Sequence, residues 1–322
     1  MNTSVPLSGP VPDAITVRNL GKNYTQPKGR VLAAVDQLHL TVRSGETYAL
    51  LGPNGAGKST AIEILEGHRR ADNGEVRVLG IDPWKAPPAF RARIGIVLQE
   101  ASDAGELRVQ EALSSLAACF PAPRPVAEVL DAVGLGGKEA VRISTLSGGQ
   151  RRRLDVALGI IGRPEVLFLD EPTTGFDPAA RRQFWDLIRD LGSGGTTIVL
   201  TTHYLDEAEQ LADRIGVINH GRLIAEGAPH QIGGAGLRVP RVRWRDGAGL
   251  HEEITDTPAA LVNKLSDGGT RELLELAVVR PSLEDIYLEL IGTIDPPVPD
   301  ATPGDNPRTA PTPAPAVQGV PS

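Results

Sequence analysis

Two separate stretches of this chain have residue types suited to holding phosphate. The first, GPNGAGKST, fills the pattern G-x-x-x-x-G-K-[ST] with Gly52, Gly57, Lys58 and Ser59. Across Gly52, Pro53, Asn54, Gly55, Ala56, Gly57, Lys58, Ser59 and Thr60, the glycines let backbone N–H groups turn toward phosphate oxygens with no Cβ in the way. The helix that starts there adds the positive end of its dipole. Lys58 is placed to meet β- and γ-phosphates, and Ser59 to ligate Mg²⁺. The second stretch, LSGGQRRRLD at Leu146 to Asp155, opens a basic helix. Ser147, Gly148 and Gly149 present a hydroxyl and unhindered N–H groups at its N-terminus, a site suited to a γ-phosphate, with Gln150 beside them. One chain holds one nucleotide, so the second surface needs a reason.

Acid–base chemistry has its own candidates. VLFLDEP at Val166 to Pro172 is an apolar run that ends in two acids. Asp170 would hold Mg²⁺ through water, and Glu171 would polarise the attacking water as general base. Gln99 at the end of IGIVLQ and His203 at the end of TIVLTTH repeat the arrangement, a polar group closing an apolar run.

Such groups meet only if a sheet carries them. TYALL, IGIVL, VLFLD and TIVLTT are short, β-rich apolar runs separated by helical stretches, as expected for buried strands of a parallel sheet. Ligands of such sheets sit at the strand ends. The 322 residues suffice for one large or two moderate domains, and 40% hydrophobic content is ample for a core. By texture the chain divides into a Pro-rich flexible leader over 1–13, an α/β core over 14–228, a weaker α/β stretch over 229–292 and a Pro-rich tail over 293–322 that has almost nothing to bury and is expected to be disordered. Cys119 is the single cysteine, so no internal disulfide framework exists. The N-terminal residues lack the pattern of a secretory signal, which points to the cytoplasm. No apolar run reaches the roughly 20 residues that span a bilayer, so a membrane role must come through another chain. A net charge of −7 argues against general nucleic-acid binding.

The loop at Gly52 to Thr60, Gln99, LSGGQ, VLFLDEP, GFDP at Gly175 to Pro178, and His203 stand in the order and approximate spacing of an ABC-type ATPase domain. Over roughly residues 14–228 the chain resembles the nucleotide-binding subunit of an ABC transporter. The resemblance implies a P-loop NTPase fold: a RecA-like parallel sheet, an antiparallel β subdomain and a helical subdomain over about 100–150, here followed by a small C-terminal α/β extension. It implies ATP and Mg²⁺, with Ser59, Gln99 and Asp170 at the metal and Lys58, Gln99, Glu171 and His203 in catalysis. It also answers the opening question. In this family two domains associate head to tail, so the loop of one and the LSGGQ of the other enclose each ATP. The resemblance further implies that Tyr24 stacks on adenine and that Asp177 communicates across the dimer, with Phe176 replacing the family's usual leucine. Arg151, Arg152 and Arg153 read as a basic helix face, or alternatively as a nucleic-acid patch; the missing aromatic interleaving favours the face.

Partners follow from the same likeness: a second ATPase subunit, expected to be an identical copy, and a separately encoded transmembrane permease that holds the chain at the inner face of the membrane. No nucleic acid is expected. Glu100 to Leu107 would form much of the permease socket. PSLEDIYLELIG at Pro281 to Gly292 is similar to the ending of subunits from the drug, antibiotic and lipid export branch called ABC-2 type. It reads as a helix with Ser282 as N-cap and Leu283, Ile286, Tyr287 and Leu290 on one side, packed against the preceding VRWR and ELLELAVV strands. An importer subunit and a soluble ABC ATPase acting on ribosomes or DNA remain as alternatives. The latter usually has fused ATPase domains or a long coiled-coil insertion, and this chain has neither.

Overall fold

Alternation along one five-residue strand organises the molecule. In β3 (Thr47–Leu51) every residue is buried. Ala49 and Leu51 join one apolar cluster, while Tyr48 and Leu50 join another on the opposite face. A strand covered on both sides has no need of polar alternation, which is why TYALL is largely apolar, with the Tyr48 hydroxyl bonded to Glu226. The computed structural model describes residues 12–97 and 105–292.

In chain order, β1 (Asp13–Thr25) and β2 (Val31–Arg43) form an antiparallel hairpin leading to β3. Helix α1 (Lys58–Leu65) follows, then β4 (Asn73–Val78), α2 (Pro88–Arg91) and β5 (Ile94–Val97). Three helices come next: α3 (Val109–Ala117), α4 (Val126–Ala132) and α5 (Gly148–Ile160). The chain re-enters the sheet as β6 (Val166–Asp170), crosses α6 (Pro178–Ser193) to β7 (Thr197–Thr202), then runs through α7 (Leu205–Leu211), β8 (Arg214–Asn219) and β9 (Arg222–Gly227). The last elements are β10 (Arg241–Asp246), β11 (Gly249–Ile254), α8 (Pro258–Leu265), β12 (Leu274–Val279) and α9 (Leu283–Gly292).

The main sheet has the order β5-β6-β7-β3-β8-β9, parallel except for the β8–β9 pair. Thus β6, β7 and β3 lie side by side and end on the same edge. One face packs α1 and the antiparallel β2-β1-β4 sheet, and the other packs α3 to α7. Helix α5 rides on β5 through a close contact between backbones: a Cβ on Gly95 would lie 2.2 Å from Gly159 O, and one on Gly159 would lie 2.9 Å from Val97 Cγ2.

The third sheet, β11-β10-β12, buries Val242 and Trp244, with the Trp244 indole stacked on His251. Helix α9 is capped as its sequence predicts: Ser282 Oγ accepts from Asp285 N at 3.1 Å, and Asp285 Oδ2 accepts from Ser282 N at 2.8 Å. Its packing partner differs from the expected one. Leu283 and Ile286 enter the main core beside α7 and the Gly236–Arg238 turn, so the helix docks chiefly there and β12 stays exposed along its whole length. The stripe of apolar residues set which face is buried but not which neighbour covers it. The predicted leader and tail lie outside the described residues, apart from Pro12, whose carbonyl accepts from Ser44 N, and Asp13 at the start of β1, which pairs with Arg43.

Candidate functional site

The loop between β3 and α1 turns where the backbone is left-handed. Gly57 has φ +103° and a Cβ there would lie 2.1 Å from Ala34 O, so only glycine fits. Helix α1 starts at the next residue, Lys58, whose side chain is 5% exposed. Lys58 Nζ donates to Gly52 O at 2.8 Å and to Pro53 O at 3.2 Å, which curls the ammonium back over its own loop. Burial pulls its pKa down, while Glu171 and Asp170 push it up. Ser59, Thr60, Asn54 and Gly55 line the same cavity with Lys58, Glu171 and Tyr24. Tyr24 reaches it from the end of β1, and its ring carries the Arg69 guanidinium 5.3 Å from the centroid and Lys22 Nζ at 5.9 Å.

The acids arrive from β6. Asp170 is its last residue and accepts a hydrogen bond from Thr201 Oγ1 of the neighbouring β7. Glu171, one residue on, adopts φ +43°, a left-handed conformation that a side-chain-bearing residue rarely takes and that costs of order 1–3 kcal/mol. The bend is held because Glu171 N–H donates to Thr201 O at 3.2 Å and to Thr201 Oγ1 at 3.1 Å. It throws the carboxylate back over the phosphate loop. Glu171 Oε1 stands 3.8 Å from Lys58 Nζ and 3.2 Å from His203 Nδ1. His203 follows β7, lies against Tyr204 with the two rings tilted by 39°, and remains about a third exposed. Side-by-side strands therefore bring Lys58, Asp170, Glu171 and His203 together, as the positions at strand ends predicted.

The LSGGQ residues fold as a capped helix start elsewhere on this chain. Ser147 Oγ accepts from Gln150 N at 3.3 Å, and Gln150 Oε1 accepts from Ser147 N at 3.2 Å. Ser147 and Gly148 are exposed, and Gly149 and Gln150 partly so. Among the described residues none of the four lines the cavity at Lys58. Asp177 caps α6 by accepting from Ala179 N and Ala180 N at 2.9 Å, and Phe176 meets Phe184 edge-on. Gln99 lies outside the described residues, as do Glu100 to Ala104 of the expected socket.

One expectation is corrected. Arg152 does not belong to a basic solvent face: it is 8% exposed and donates from Nη2 to Asp170 O and from Nε to Pro172 O, each at 2.9 Å. Carbonyls 18 and 20 residues downstream draw it inward. Arg153 does stay on the surface, bonded to Gln183. Sequence reasoning also missed Thr201, which looks like an ordinary β-former, and Glu207 of α7, which is fully buried. Burial raises the Glu207 pKa, opposed by the donors of Thr202, Thr173 and Trp185 around it.

A protein-family model for ABC transporters matches residues 35–174. The daunorubicin/doxorubicin resistance ATP-binding protein DrrA of Streptomyces peucetius is 41% identical over 292 residues, covering 80% of this chain and 88% of that one. The Nod factor export ATP-binding protein I of Sinorhizobium fredii is 36% identical over 307 residues, covering 87% and 86%. Among solved structures, a dimeric bacterial ABC transporter cassette superposes with a TM-score of 0.60 at 24% identity, covering 66% of this chain and 98% of its own.

Proposed function

From the premise that this chain belongs to the ABC transporter family, as an ATP-binding subunit that hydrolyses ATP, we propose that it powers an ABC-2 type exporter whose membrane-spanning permease is a separate chain. The relatives' names, a drug-resistance protein and an export protein, favour outward transport over import. Among the described residues no helix is long and apolar enough to cross a membrane, so the pathway itself is assigned to the partner. Attachment to that partner would hold this chain at the inner face of the membrane.

The observation that carries the catalytic reading is the position of Glu171, fixed by a strained turn between Lys58 and His203. In the proposed mechanism the loop from Gly52 to Thr60 cradles the phosphates with its N–H groups, and Lys58 turns outward to their oxygens. Tyr24, which lines the same cavity, would pack on adenine. Glu171 accepts the proton of the attacking water, and His203, 3.2 Å away, holds that carboxylate and the γ-phosphate in register. The donor set fits Mg²⁺: the Ser59 hydroxyl lines the cavity, and the Asp170 carboxylate is oriented by Thr201, both hard oxygen ligands. When bound there, the ion would neutralise charge on the phosphates. Gln99 is assigned to the same shell on its sequence position alone.

Because none of Ser147 to Gln150 lines the chain's own cavity at Lys58, they are assigned to the γ-phosphate held by a second copy. Two identical chains then close two sites, and hydrolysis removes the phosphate that bridges them.

Capture of a tagged Glu171→Gln chain from gently solubilised native membranes in MgATP tests this reading. The variant should retain nucleotide, lose turnover by about 10²-fold or more, and bring with it a polytopic chain that lacks an ATPase domain. Near-normal turnover would remove the base from Glu171. Recovery only in the soluble fraction, with ribosomes or DNA attached, would overturn the transporter.

A further inference from the structure

A buried arginine links the two phosphate-reading surfaces inside one chain. Arg152 sits on the second turn of α5, a few residues beyond Ser147, and lines a groove with Gly148, Asp155, Glu171, Thr174 and Phe176. Its planar fork spans the backbone on both sides of Glu171, bonding the carbonyl of Asp170 before it and of Pro172 after it. A cation so deeply buried is costly to desolvate unless it is paired and fully bonded. The compensation is present: Asp155 Oδ2 stands 3.9 Å from Nη1, and Asp170 and Glu207 add attraction, each pulling upward on a pKa that burial pulls down. Three elements supply these acids: α5 itself, the end of β6 and the buried Glu207 of α7.

The left-handed bend at Glu171 is thus held from two sides, by Thr201 on β7 and by Arg152 on α5. The β7 contact belongs to the same sheet. The α5 contact does not: it ties the turn to the helix whose first residues form the exposed LSGGQ surface.

We propose that Arg152 is a positioning residue that couples the LSGGQ end of α5 to the turn bearing Glu171, so that contact at one nucleotide bears on the geometry of hydrolysis at the other. It acts through the backbone carbonyls on either side of the base. The inference rests on the assignment of Glu171 as base, and the experiment separates the two.

Purified wild-type, Glu171→Gln, Arg152→Lys and Arg152→Met chains are compared for steady-state turnover of MgATP, affinity for a fluorescent ATP analogue, and thermal melting. Lysine keeps the charge but, as a point donor, cannot grip two separated carbonyls as a fork. Arg152→Lys should therefore keep nucleotide affinity within about twofold and lose turnover by about three- to tenfold, and Arg152→Met should lose more than tenfold. That split between turnover and affinity is what a mere structural prop would not give. Wild-type turnover in Arg152→Lys overturns the proposal, as does a loss shared in proportion by turnover, affinity and melting. If Arg152→Met does not fold, the lysine variant decides alone. If Glu171→Gln keeps its turnover, the base assignment has failed; if it is inactive while Arg152→Lys is normal, only the coupling has.

Discussion

Glu66 offers a quantitative test of the electrostatics beneath the nucleotide site. It closes α1 and is 6% exposed, beside a cleft lined by Pro83, Phe90, Ile94, Leu116 and Phe120. Desolvation among these apolar groups, reinforced by repulsion from Asp170 and Glu63, raises its pKa from 4.5 to about 8. In the unfolded chain the same carboxyl ionises near its ordinary value, so between these limits the folded protein binds the extra proton. The neutral carboxyl's contribution to stability is complete below about pH 4.5, declines through the window and is lost above about pH 8. Each unit is worth about 1.4 kcal/mol, so from pH 5.5 to 8 the nucleotide-free protein should lose about 3 kcal/mol through this group. Glu66→Gln replaces the neutral acid by a non-titrating group of nearly the same shape. Thermal melts of both proteins across that range cancel the titrations common to both; His68 Nδ1 lies 3.2 Å from Glu66 Oε2, so the substitution changes that pair as well. The wild type should fall relative to the variant by on the order of 4–5 °C as pH rises, since an unfolding entropy of about 2.1 cal/mol/K per residue makes 1 kcal/mol worth roughly 1.5 °C in a chain of this length. Parallel curves would show that Glu66 is ionised in the folded protein, and the argument from desolvation would be wrong.

Gly57→Ala places a methyl group 2.1 Å from Ala34 O at φ +103°, so it should cost about 1–3 kcal/mol in backbone strain and abolish tight ATP binding, read by melting and by nucleotide titration. Wild-type affinity would show that the loop can open without cost. Ser147→Ala removes the oxygen that accepts from Gln150 N and should lower stability by about 0.5–2 kcal/mol in denaturant unfolding. It should also reduce ATP-induced dimers in light scattering with a Glu171→Gln background; undiminished dimers would take Ser147 out of the interface.

What could be read from residue order was what local chemistry dictates. The phosphate loop is contiguous, and its glycines report their own steric need. The acids, His203 and the runs before them are legible because a strand buried on both faces must be apolar until it reaches the ligand. Arg152 was misread because RRR carries no sign of which carbonyls lie above it; the answer is stored in the Asp170 and Pro172 backbone. Glu66 and Glu207 look like ordinary helix acids, since nothing in a helical sequence states that a neighbouring layer will cover them. The same reason explains α9, whose apolar stripe was correct while its partner was not. The role of Gln99 rests on its place after an apolar run, outside the described residues.

The close contact of α5 with β5 has a consequence for building chimaeras. The spacing between the LSGGQ helix and the sheet is set by two absent methyl groups, Gly95 on one side and Gly159 on the other. A recombinant that takes its helical layer from one relative and its sheet from another inherits those residues from different parents. Unless both parents carry glycine at these positions, the layers are wedged apart by a few tenths of an ångström or more, and the wedge is passed along α5 to its other end. Crossover points for swapping should therefore keep residues 95 and 159 as one inherited unit.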